Sequence, residues 1–109
     1  MARSIRYVLD NQQGVTRQNF NWDAINIDSA VIVTAAEIAD WLGALSGVKT
    51  VGRPNLGAAS VWVSNVGAHG VANTEAGGVE YLLHVDWDHP LKVMVTITAE
   101  DDIEQFIQD

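Results

Sequence analysis

The sequence predicts an α+β fold, a mostly antiparallel sheet of four to six short strands with two helices packed on one face. Three observations carry that prediction. Residues 79–98 alternate apolar and polar with period two, a capping box opens at Thr34, and Ile103, Phe106 and Ile107 recur at helical spacing near the carboxyl end.

Ile5 to Leu9 reads as the first strand, and Val15 to Trp22 as its hairpin partner, with Asn19 and Asn21 weakening the pattern. Ala30 to Val33 is a short apolar run of strand character, extending back toward Ile25 through Ile27. Thr34-Ala35-Ala36-Glu37 then forms a T-x-x-E capping box, followed by Ile38, Trp41, Leu42 and Leu45 at i, i+3, i+4 and i+7. This predicts a helix from Thr34 to Leu45, stopped by Ser46-Gly47. Ala59 to Ser64 is a further strand, with Trp62 facing opposite to Val61 and Val63. The stretches Val48 to Ala58 and Asn65 to Gly78 lack periodicity and hold most of the glycines, as mobile or functional loops do.

The last third is the most legible. Val79, Tyr81, Leu83, Val85 and Trp87 alternate with Glu80, Leu82, His84, Asp86 and Asp88, and after Asp88-His89-Pro90 a second run alternates Leu91, Val93, Val95 and Ile97 with Lys92, Met94, Thr96 and Thr98. A hairpin pairing Trp87 with Leu91 sets Val85 opposite Val93, Leu83 opposite Val95 and Tyr81 opposite Ile97 on one face, with Asp86 opposite Lys92 on the other. Thr98 is placed as the N-cap of a helix over Glu100 to Gln108, whose acidic first turn suits the helix dipole.

Residues 1–109 read as one domain: 48% apolar content supplies a core without disulfides, and cysteine is absent. The sequence shows no signal peptide and no run of the roughly 18 apolar residues that spans a bilayer, so a soluble cytoplasmic protein is expected. Net charge is −8, and eight of the fourteen carboxylates lie beyond residue 79, where Lys92 is the only base. The first twenty-two residues carry Arg3, Arg6 and Arg17 against Asp10 alone. Such a field disfavours nucleic acid and anionic membrane and favours a basic protein partner or head-to-tail self-association.

No catalytic motif is present. His84-x-Asp86-x-Asp88-His89 gathers potential metal ligands, but same-face neighbours on a strand stand nearly 7 Å apart and do not converge on one ion. Joining Ser64, His69 and Glu75 as a hydrolase has no support from spacing, since G-x-S-x-G is missing, and the glycines spell no phosphate-binding loop. Of the four tryptophans, Trp41 and Trp87 fit the core by phase, whereas Trp22 and Trp62 are contact candidates.

Small, acidic, cysteine-free α+β chains of this kind resemble bacterial immunity proteins in outline. The function expected is therefore a non-enzymatic acidic module, an immunity or inhibitor protein that neutralises a basic partner without cofactor or metal. Its contact residues are Trp62, Glu80, His84, Asp86, Asp88, Glu100, Asp101, Asp102 and Glu104, with the acids forming one negative surface. The alternatives are a self-assembling structural component of phage type, and a small-molecule or metal-dependent enzyme using His84, Asp86, Asp88 or His69.

Overall fold

In the computed structural model, which describes residues 1–40 and 52–109, the protein is all-β. Seven strands follow in order: β1 (Arg3–Gln12), β2 (Gly14–Asn21), β3 (Ser29–Asp40), β4 (Gly52–Asn55), β5 (Ser60–His69), β6 (Gly78–Asp86) and β7 (Leu91–Asp102). They form a four-stranded sheet ordered β1-β7-β3-β4 and a three-stranded sheet ordered β2-β6-β5. All pairings are antiparallel, and one sheet curls into a half-barrel.

The α+β prediction is overturned, because no helix occurs among the described residues. Residues 34–40 continue β3, where Val33, Thr34, Ala35, Ala36 and Glu37 pair with Ile97, Thr96, Val95, Met94 and Val93 of β7. The β-branched run Val31-Ile32-Val33-Thr34 carries the extended conformation through the capping box, and sheet pairing overrides local helix propensity. The rest of that predicted helix, with Trp41, lies outside the described residues. At the carboxyl end β7 runs on to Asp102, and residues 103–109 leave the sheet without regular structure. Phe106 and Ile107, expected to dock on the sheet, stand in solvent.

The predicted hairpins are also replaced. β1 pairs with β7 and β2 with β6, so the first strand meets the last and the second meets the penultimate. β6 and β7 lie in different sheets, linked by residues 87–90. Their inward rows, Val79, Tyr81, Leu83 and Val85 on one side and Val93, Val95, Ile97 and Ala99 on the other, are buried face to face rather than side by side. The predicted inward phase is correct for all of these except Ala99, predicted at the start of the terminal helix, and the backbone partners differ. Asp86 therefore never meets Lys92, which approaches Asp10 at 3.8 Å instead. Trp87 lies in the interstrand link, 36% exposed and edge-on to His89, rather than in the core.

Where β1 and β2 leave the sandwich open, side chains close it. Tyr7 of β1 stacks on Phe20 of β2 at 4.7 Å and shares a hydrogen bond with the hydroxyl of Tyr81 across the two sheets. Burial raises the pKa of both phenols. Just beyond them, Gln12 Oε1 accepts hydrogen bonds from Thr16 and Gln18, so these part-buried polar groups are satisfied.

The glycine-rich segment before β6 is a packing device. Gly77 passes so close to the 22–25 turn that a Cβ there would lie 2.0 Å from the Ile25 carbonyl oxygen. Trp22 N–H donates to Gly77 O at 2.8 Å, and Ile27 N–H to Gly70 O at 3.0 Å.

Candidate functional site

The outer face of the three-stranded sheet gathers the chemistry. The β2–β6–β5 register lays Val15, His84 and Trp62 in one cross-strand row and Arg17, Leu82 and Ser64 in the next. Because successive side chains alternate across the sheet, the phase that buries Leu83 and Val85 turns His84 and Asp86 outward.

Trp62 lies flat against His84, with ring centroids 4.6 Å apart and an interplanar angle of 7°. Ser64 also holds His84, its hydroxyl sharing a hydrogen bond with Nε2 at 2.7 Å. β5 ends the hydrogen-bonded order of its sheet among the described residues, and 45% of Trp62 stays in solvent. The pair borders an open depression of about 280 Å³ lined by Gly14, Val15, Trp62, His84, Val85 and Asp86. Asp86 is exposed, and its carboxylate makes no hydrogen bond or ion pair among the described residues. A second depression of about 290 Å³ adjoins it, where Arg17 and Glu80 form an ion pair at 2.6 Å beside Asn65 and Leu82.

After Ser64 the ladder slips by one residue, with Asn65 in the left-handed region at φ 54°. That bulge ends the flat part of the face. A serine hydroxyl on a histidine nitrogen is also the first contact of an acyl-transfer dyad. Here nothing among the described residues orients the imidazole through Nδ1, and the serine sits on a flat strand pair rather than a tight strand-to-helix turn. The contact braces the aromatic pair.

The structure therefore brings together Trp62, His84 and Asp86 of the residues singled out by sequence, with Glu80 two rows away and tied to Arg17. It separates the others. Asp88 sits in the link between sheets, bonded to His89 at 2.7 Å. Glu100, Asp101 and Asp102 are at the opposite end of β7, about 30 Å away at the usual strand rise. Asp101 pairs with the amino terminus, Asp102 accepts from Asn26 at 3.2 Å, and Glu104 lies in the tail. The hairpin and terminal helix that were to join these acids into one surface do not occur among the described residues.

His69 and Glu75 serve their own loop. The His69 ring contacts Ala76 O at 2.8 Å and Asn19 Oδ1 at 2.7 Å, and Glu75 Oε1 accepts from the Gly70 amide at 2.8 Å. No group of three metal-ligating side chains converges among the described residues. Sequence reasoning missed Val15, Gly14 and the Ser64–His84 contact. The outward phase of Val15 was a usable signal, but its adjacency to His84 depends on the β2–β6 pairing.

Compared with known proteins, the chain matches no family model, no curated protein and no solved structure.

Proposed function

We propose that this protein is a non-enzymatic binding module that engages a basic protein partner through the outer face of its three-stranded sheet. The observation that carries the reading is the half-exposed Trp62, stacked on His84 beside the exposed carboxylate of Asp86, which has no partner among the described residues. A large aromatic ring with its rotamer fixed before binding loses little entropy on association, which is how interface anchors reach high contributions. The acids outside this face act at longer range: a net charge of −8 speeds encounter with a cationic partner, whichever end each acid occupies.

The test is a chemical-shift map of the isotope-labelled protein titrated at low ionic strength with basic nucleases and with purified products of neighbouring genes. Perturbations should centre on Val15, Trp62 and His84, and Trp62→Ala should weaken binding by about 2 kcal/mol or more. Absence of any interaction at low salt, or a map confined to the Arg6–Thr96 face of the other sheet, rejects the reading.

A further inference from the structure

We infer that the depression beside Trp62 receives a single arginine side chain of that partner. This inference rests on the binding face proposed above and names the group that the face recognises.

Three features of the depression match an arginine. Val15 and the open backbone at Gly14 supply an apolar wall for the methylene stem. Trp62 and His84 supply an aromatic wall, against which a planar guanidinium stacks by dispersion and by attraction to the ring quadrupole. Asp86 supplies an accepting carboxylate that forms no ion pair among the described residues, where the nearby Arg17 is held by Glu80 and Lys92 faces Asp10 on the other sheet. The chain contains the same kind of contact within itself, where the Arg3 guanidinium lies 5.5 Å from the Trp22 ring centroid.

Geometry favours arginine over lysine. An ammonium is a compact, strongly hydrated point charge that gains little from a flat aromatic wall, whereas a guanidinium is weakly hydrated and presents both a face and a fork. The volume of about 280 Å³ takes one such side chain rather than a folded segment. Gly14, at φ 73°, keeps this end open, and a Cβ there would project into unoccupied space at the mouth.

The experiment uses the intact protein and three blocked pentapeptides, Gly-Gly-X-Gly-Gly, with X arginine, lysine or citrulline, followed by the indole resonance of Trp62 at low ionic strength. The arginine peptide should give a saturable shift, the lysine peptide a weaker one, and the uncharged, isosteric citrulline peptide none. Asp86→Asn, at an exposed position, should weaken the arginine peptide by roughly two- to fivefold. Trp62→Ala should weaken it by roughly fivefold, with binding then read from the resonances of Val15 and His84. Gln108→Ala, an uncharged change in the exposed tail, should leave it unchanged. Equal binding of arginine and citrulline peptides, or indifference to Asp86→Asn, overturns the inference. If whole basic proteins perturb this face while the arginine peptide leaves Trp62 unmoved, the arginine assignment alone falls. If the peptide binds but no protein maps to the face, the partner reading falls with the pocket chemistry intact.

Discussion

Tyr7 and Tyr81 are the chain's only tyrosines, and they meet across the two sheets. Removing one hydroxyl leaves the other half-buried without its partner, so Tyr81→Phe should cost about 1 kcal/mol or more in urea unfolding. Because an apolar pair has no polar group to satisfy, the Tyr7→Phe/Tyr81→Phe double variant should lose less than the two single costs added. Both folded-state pKa values are raised by burial, so the native fold holds the neutral phenols. Their contribution is complete below the unfolded phenol value near pH 10 and is lost as pH rises through the higher folded values. Stability should therefore fall from about pH 10 upward, with the phenolate absorbance band appearing together with unfolding. A phenolate band at full native circular dichroism would remove this account. Gly77 is another residue whose identity the fold fixes. A Cβ there would collide with backbone rather than a yielding side chain, so Gly77→Ala should lower stability by at least about 1–3 kcal/mol.

β6 and β7 are the central strands of their sheets, each flanked on both sides, which explains what the sequence made legible. Period-two alternation records which side chains face the core, and for Tyr81, Leu83, Val93, Val95 and Ile97 it does so correctly. It does not record the backbone partner: two apolar rows satisfy the same pattern lying side by side in a hairpin or stacked across a sandwich. The Asp86–Lys92 agreement was a property of the assumed register and vanished with it. At Thr34 the capping box was a real local signal, outweighed by the ladder to β7. The candidate site was legible as far as Trp62, His84 and Asp86 sharing exposed faces, whereas the contacts that assemble it cross strands distant in sequence. The corrected architecture gives a test at this scale. Ile97→Ala, fully buried in β7, should cost about 2–5 kcal/mol. Deleting residues 105–109, where Phe106 is 86% and Ile107 78% exposed, should change stability by under about 0.5 kcal/mol. A large loss on deletion would mean that the tail packs as the helical pattern suggested.

Across the whole molecule the excess of carboxylates sets opposite salt dependences for folding and for binding. The described ion pairs Arg17–Glu80, Lys92–Asp10 and Met1–Asp101 are between exposed groups, where each contributes about 0–1 kcal/mol and is weakened by salt. Against them stands a net charge of −8 on a molecule whose longest extent is 42 Å. At about 0.01 M salt the screening length is about 30 Å, so like charges repel across most of the molecule, while at about 0.1 M it is about 10 Å and the repulsion becomes local. If self-repulsion outweighs the exposed pairs, added sodium chloride should raise Tm by a few degrees, since about 1 kcal/mol shifts a domain of this size by roughly 4 °C or more. Over the same range, association with a basic partner should slow, because the field that destabilises the free chain also steers the encounter. A Tm that falls with salt would place the dominant electrostatic term in the ion pairs. Association that does not slow would confine recognition to the short-range contacts at Trp62 and Asp86.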